Sequence, residues 1–270
     1  PFVADGGTTP EGRKIGNPVT ADRAIRQAVN MAVDRQALVD GVLNGYGTPA
    51  YTANDALPWW NPDTVIADGD AAAAKKILAE AGWEDRDGDG VAEKGGLRAE
   101  FTLLYPAGDG TRGSLALAAA DMVKAAGIRM NVEGAGWGEI EERMHADAVL
   151  FGWGSFDPYE MVALYSSRYR GVGYYNAGFY SNPQVDAWLE RALRATDETE
   201  AREYWRKAQW DGSTGPSAQG DAAWAWLVNL DHLYLVREDL DIGDPGIQPH
   251  GHGWPITANI AEWTWRHAAR

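Results

Sequence analysis

The chain has 270 residues, 45% of them hydrophobic, enough for one large domain or two small ones with a true core. A net charge of -15 argues against a partner that is nucleic acid or an anionic membrane, and the absence of cysteine excludes disulfides and thiolate metal sites. No apolar run approaches the roughly 20 residues of a membrane-spanning helix. Residues 1–19, beginning PFVADGGTTPEGRKIGNP, are polar and loop-like and read as a linker with no secretory leader.

Residues 20–51, TADRAIRQAVNMAVDRQALVDGVLNGYGTPAY, predict one amphipathic helix followed by an extended tail. Thr20 is the expected N-cap, and Asp22 suits the positive end of the helix dipole. Ile25, Ala28, Val29, Ala32, Val39, Val42 and Leu43 fall on one stripe at three- and four-residue spacing, the mark of a core-facing helix. Asn44-Gly45 ends it, because glycine takes the left-handed cap without steric cost. Pro49 forbids a return to helix.

A proline-punctuated connector follows. Asp70 then opens a short alanine-rich helix over 71–81, ended by Gly82; its few apolar residues, Ile77 and Leu78, predict packing on the outside of a sheet. Residues 82–94 are GWEDRDGDGVAEK. Asp85, Asp87 and Asp89 followed by Gly90 match the first half of a calcium loop, in which alternate carboxylates converge on one hard cation. The twelfth position is Gly96 rather than a bidentate Glu, and Glu93 stands at the ninth. Calcium is therefore a candidate ligand of Asp85, Asp87, Asp89 and Glu93. The alternative is an acidic turn in which Gly88 and Gly90 supply positive φ.

Strands are expected over 99–105 and 128–132, with helices over 114–126 and 138–145 and a buried strand over 148–153. This β-α-β-α-β rhythm predicts an α/β unit with at least partly parallel strands. Asn182-Pro183 caps a helix over 184–195, and Asp197 caps another over 198–210. Residues 223–236, AWAWLVNLDHLYLV, read as a long strand. The residues from 239 onward are loop-rich.

Thirteen tryptophans, many in WW, WAW and WTW clusters, fit either ordinary core packing or an aromatic-walled ligand cleft. FGWGSFDPYE, residues 151–160, leaves the sheet at a strand's carboxyl end, where α/β clefts form. Trp153 is a candidate cleft wall, with Trp137, Trp224 and Asn229 as further candidate ligand contacts. Asn229 lies inside an apolar run, where a polar group needs a partner, so hinge backbone is the alternative role for it. In QPHGHGW, His250 and His252 form a candidate nickel-type pair, or a hydrogen-bonded loop. His145 reads as a structural cap. No nucleophile elbow, zinc-protease motif, phosphate loop or thiol is present. Scattered carboxylates leave a glycosidase-like pair open, and the Trp-rich acidic composition leaves a carbohydrate-binding module open.

The run AIRQAVNMAVDRQALVDGVLNGYGTPA resembles the signature helix of the extracytoplasmic solute-binding proteins of ABC importers, in the peptide/nickel-binding family 5. Their pattern is A-hydrophobic-R-x-A-hydrophobic-N-x-A-hydrophobic-D-R followed by G-x-G-x-P-A. Tyr180 to Asp186 is similar to a second family phrase, Y-x-N-P-x-V-D. The resemblance implies an α/β lobe of the periplasmic-binding-protein type, with a mixed sheet flanked by helices. It implies a second lobe over 20–236, with 237–270 returning to a first lobe that precedes this chain, so that the chain is a C-terminal piece and binds ligand weakly alone. It implies a binding protein rather than an enzyme, requiring no cofactor, located in the periplasm or at the cell surface. Its partners would be the permease and ATPase subunits, with membrane contact only through the permease or a lipid anchor outside this chain.

Peptide-binding relatives carry an Asp in the loop after the Trp, which pairs with the peptide ammonium. By the same likeness Phe156 takes that place, and Asp157-Pro158 matches the later D-P, so Phe156 and Asp157 are candidate ligand contacts without the amine anchor. That departure and the His-x-His loop favour nickel, free or chelated, over a short peptide.

Overall fold

A computed structural model describes residues 1–244, 246 and 255–266 of the chain. The expected apolar stripe is buried, but on two helices instead of one. Helix α1 (Arg23–Ala32) is capped by Asp22, whose carboxylate accepts from Ala24 N, and α2 (Arg35–Val42) by Asp34, which accepts from Ala37 N. Between them Val33 is extended, at φ -74 and ψ 120. The break puts the fully buried Val33 into the core and turns Arg35 inward to 1% exposure. Thr20 is not the cap; its hydroxyl donates to the carbonyl of Pro1. Asn44 and Gly45 both take positive φ after α2, as the sequence predicts, and the chain enters strand β1 (Gly47–Pro49).

Helix α3 (Ala71–Glu80) starts at Asp70 as expected, yet it packs on α1 and not on a sheet. Its buried Ala74 and Leu78 join the cluster built by Ile25, Ala28 and Ala32. The acidic turn leads into a short hairpin of β2 (Glu93–Lys94) and β3 (Leu97–Arg98).

The central sheet has three parallel strands. Strand β4 (Glu100–Pro106) lies in the middle, flanked by β5 (Arg129–Ala135) and β6 (Ala148–Val149). Parallel neighbours require crossovers. Here they are α4 (Gly110–Lys124) and α5 (Trp137–Arg143), which establishes the α/β class. Strand β6 is shorter than expected: beyond Leu150, whose N–H donates to the Leu104 carbonyl, the chain leaves the sheet.

Helix α6 (Tyr159–Tyr165) packs with α7 (Pro183–Arg194) and α8 (Glu198–Gln209) around Met161, Leu164, Val185, Leu189 and Trp205. Asn182 and Asp197 cap α7 and α8 as the sequence predicts. The long strand expected over 223–236 is reduced to β7 (Val228–Leu230), antiparallel to β1 with Thr48 opposite Asn229. A last antiparallel pair joins β8 (Leu240–Asp241) to β9 (Thr264–Trp265). The expected pair His250 and His252 lies outside the described residues.

Candidate functional site

Strand β6 delivers Phe151 and Trp153 to the carboxyl edge of the sheet, and a chain of rings grows from them. The Phe151 centroid is 5.9 Å from Trp153, 6.0 Å from Tyr174 and 6.4 Å from Trp224. Trp137, at the start of α5, meets Tyr174 edge-on at 5.5 Å. Trp153 stacks on Tyr175 at 5.1 Å and 22°, and Trp224 stacks on Trp226 at 5.5 Å and 26°. Three of the sequence candidates, Trp137, Trp153 and Trp224, are thus brought together. Phe151 and Tyr174 link them and were missed; the only signal for the second was a Tyr174-Tyr175 pair in a glycine-flanked loop. Trp137 and Tyr175 remain well exposed, at 47% and 40%, so this surface is not simply core. The Trp153 indole N–H is buried with no acceptor among the described residues.

What fixes Trp224 and Trp226 is not a β-ladder. Side chains of α1 and Arg35 bond the backbone carbonyls of the returning segment 219–226 in order. Gln27 donates to Gly220 O at 3.2 Å, and Arg26 donates to Asp221 O at 2.9 Å and Ala222 O at 3.2 Å. Asn30 donates to Trp224 O at 3.3 Å, and Arg35 to Trp226 O at 2.7 Å. Burial holds the Arg26 guanidinium down to about 10, which leaves it charged at neutral pH. Asn30 on α1 and Arg35 on α2 take the carbonyls of Trp224 and Trp226, two residues apart, which puts both tryptophans on one side of an extended segment.

The loop after Trp153 is shaped by its own carboxylates. Asp157 is exposed and accepts from Tyr159 N at 2.9 Å, which commits it to the start of α6. Phe156 is exposed at 42% beside it and belongs to no ring pair among the described residues. Both Glu160 oxygens lie 3.2 Å from Ser155 N. Burial pushes this carboxyl up to about 7, against the pull of the Ser155 and Gly154 amides. Glu160 therefore clasps the loop that carries Trp153. The sequence reading missed it.

Asn229 lies apart from the rings. Its amide donates to Asp55 Oδ2 at 3.2 Å and to Pro49 O at 3.4 Å, tying β7 to β1. Asp55 also accepts from Tyr51 N at 2.8 Å, and burial raises its carboxyl above the usual range. His145 is buried with Nδ1 2.9 Å from Ala177 O, 32 residues away, so its role is structural but it ties down a distant loop and does not cap α5 as expected.

Among the described residues, the one group of side chains that could hold a metal ion is Asp85, Asp87 and Asp89, whose ligand atoms lie within 4.8 Å of one another. All three are exposed and already occupied. Asp85 accepts from Gly88 N and Gly90 N, and Arg98 pairs with Asp89 and, at 3.3 Å, with Glu93. The turn thus brings its own counter-cation.

Residues 8–176 match the model of the bacterial extracellular solute-binding proteins, family 5 Middle. Protein XP55 of Streptomyces lividans is 41% identical over 225 residues, covering 83% of this chain and 40% of that protein. The oligopeptide-binding protein AppA of Bacillus subtilis is 31% identical over 199 residues, 70% of this chain and 36% of that one. The crystal structure of NikZ from Campylobacter jejuni in complex with Ni(L-His) superposes with a TM-score of 0.74 at 26% identity, over 92% of this chain and 50% of NikZ. AppA in complex with a nonapeptide gives 0.72 at 25%, over 92% of this chain and 48% of AppA. The chain spans half or less of the length of each of these relatives. It belongs to the family 5 bacterial extracellular solute-binding proteins.

Proposed function

We propose that this chain is the second lobe of an extracytoplasmic receptor that delivers a short peptide to an ABC permease and its ATPase. Two lobes would close on the ligand by a hinge and release it at the membrane, with no bond made or broken. The observation that carries the reading is the chain of rings at the carboxyl edge of the parallel strands. Flat aromatic faces offer large contact area at small entropic cost, which suits peptide groups and apolar side chains. AppA, bound to a nonapeptide, supplies the likeness.

Chelated nickel is the second reading, favoured by the likeness to NikZ with Ni(L-His). A bare nickel ion fits the described wall less well, because rings offer no ligand atoms and the acidic turn is hard-oxygen chemistry. With Phe156 where the resemblance expects an amine-pairing Asp, the wall rests on apolar contact more than on charge.

The test is calorimetry and tryptophan fluorescence of the two-lobed receptor that this reading requires, with di- to nonapeptides, Ni(L-His), nickel salt and a mannose oligosaccharide. Saturable peptide binding, weakened about tenfold or more by Trp224→Ala, supports the reading. Response to Ni(L-His) alone moves the assignment to the chelate. Response to the sugar alone, or none, overturns it.

A further inference from the structure

The loop that carries Trp153 is pinned at both ends. On the entering side Gly152 lies against the Arg112 guanidinium, where an added Cβ would stand 2.6 Å from Nη2. On the leaving side both Glu160 oxygens accept from Ser155 N at 3.2 Å. Between the pins Trp153 has no polar hold of its own. Its indole N–H finds no acceptor among the described residues, and its ring rests on Tyr175. We infer that Glu160 is a positioning residue whose loss of a proton releases this loop, so that the ring wall is set for ligand in acid and slackened above neutral pH. What this says of ligand rests on the proposed function; the release of the loop does not.

Two observations carry it. First, among the described residues no cation neutralises Glu160. Arg112 pairs with Asp109 at 3.3 Å. Arg168, on the single turn Ser167–Tyr169 that packs on α6, acts on Tyr169. On α7, Arg191 lies over the Trp188 ring and Arg194 meets Glu190 at 3.7 Å. The groups that do face Glu160 are acidic: Asp157 in the same turn, and Tyr165 further along α6, whose hydroxyl also feels Asp55. A half-buried carboxylate with no cation, beside a second carboxylate, is disfavoured against its neutral acid. The amides of Ser155 and Gly154 pull the other way without offsetting the burial, so the carboxyl sits at about 7.

Second, the clasp can open without unfolding anything else. It joins a side chain to an amide five residues away and takes no bond from a strand or helix. The start of α6 is held separately, by Asp157 on Tyr159 N, and its far side by the buried Met161 and Leu164. Once in water the carboxyl returns to its ordinary 4.5, so opening is linked to loss of a proton. The open fraction of the loop should then rise about tenfold from pH 6 to pH 8.

The test reads the loop and the ligand separately. Hydrogen exchange of the Gly154 and Ser155 amides in this chain is compared with that in Glu160→Gln, which keeps the shape of the protonated acid and cannot ionise. The ratio of parent to variant rates should rise about tenfold between pH 6 and 8. Glu160→Ala should exchange fast at every pH, with the parent approaching it as pH rises, and it is the reference if the Gln variant does not fold. In the two-lobed receptor, peptide affinity should fall over the same range in the parent and stay level in Glu160→Gln. A ratio of exchange rates that is flat with pH overturns the release. Peptide affinity that is level with pH, in a parent whose loop does open, overturns the link to ligand. If no peptide binds at any pH, the proposed function falls, and the exchange ratio alone decides the release.

Discussion

Arg35 is the residue whose removal should be felt most, and the structure allows the size to be worked out. Its side chain is 1% exposed and holds five acceptors. Nε donates to Ala50 O at 2.8 Å and Trp226 O at 2.7 Å; Nη1 to Asn30 O at 3.0 Å and Asp68 Oδ2 at 2.6 Å; Nη2 to Asn30 Oδ1 at 2.8 Å. Arg35→Ala strands these groups together with the Asp68 carboxylate, itself only 13% exposed. Losing one partner of a buried ion pair costs about 3–5 kcal/mol, a large share of the roughly 5–15 kcal/mol that holds a domain folded. For a chain of this size the melting temperature should fall by about 6–20 °C. Arg35→Lys should rescue little, because an ammonium cannot fork to acceptors on opposite sides. Adding Asp68→Asn to Arg35→Ala should cost less than the sum of the two, since the stranded charge is gone. The assay is denaturant unfolding followed by tryptophan fluorescence and by circular dichroism. A cost for Arg35→Ala below about 1 kcal/mol, the net worth of one ordinary hydrogen bond, would refute the reasoning.

Glu160 gives a pH signature of definite sign. Burial lifts its carboxyl from the ordinary 4.5 to about 7 in the folded chain, so the folded state holds the proton more firmly than the unfolded one. Its contribution is present at low pH and lost as pH rises through that window. Glu160→Gln should therefore gain stability over the parent as pH is raised from 5 to 8; melting curves with a constant difference would count against the assignment. Arg98→Ala should expose repulsion among Asp85, Asp87 and Asp89, lowering the melting temperature at low ionic strength. Millimolar calcium or added salt should then restore it. A variant insensitive to both would show that Arg98 does not hold the turn. Asp34→Ala removes the cap at the break between α1 and α2 and should cost about 1 kcal/mol by denaturant titration, where an exposed mid-helix Asp would cost next to nothing.

The parts of this molecule that periodicity governs were readable from the letters; the parts governed by distant acceptors were not. The stripe of Ile25, Ala28, Val29 and Ala32, the caps at Asp70, Asn182 and Asp197, and the parallel β-α-β order all follow from local spacing. The break at Val33 carries no glycine or proline to announce it. Arg35 falls on the stripe's own spacing, seven residues from both Ala28 and Val42, but nothing near it in sequence says what a charge there would bond, because its acceptor at Trp226 is 191 residues away. The same cause misled the reading of 223–236: an apolar, alternating run looks like a strand, yet the carbonyls of Trp224 and Trp226 go to side chains and leave no ladder to form. Of the candidate site, Trp137, Trp153 and Trp224 could be named but their meeting through Phe151 and Tyr174 could not.

This gives a physical meaning to the run that first suggested the family. In AIRQAVNMAVDR the apolar letters bury α1, while Arg26, Gln27, Asn30 and Arg35 face an extended partner whose carbonyls they bond one after another. An amphipathic helix needs only a stripe, and its polar face is free to vary. A helix that also grips a backbone needs donors at fixed places, with reach enough to cross the gap. Arg and Asn at those places can therefore be read as the imprint of a second segment, found late in the chain and bearing the two stacked tryptophans. Replacing Asn30 by Leu should keep α1 helical and its stripe buried, yet disturb the Trp224–Trp226 stack, which the near-UV circular dichroism of the parent, Asn30→Leu and Trp224→Phe would compare. An unchanged spectrum for Asn30→Leu would mean that packing alone, and not the row of donors, sets those rings.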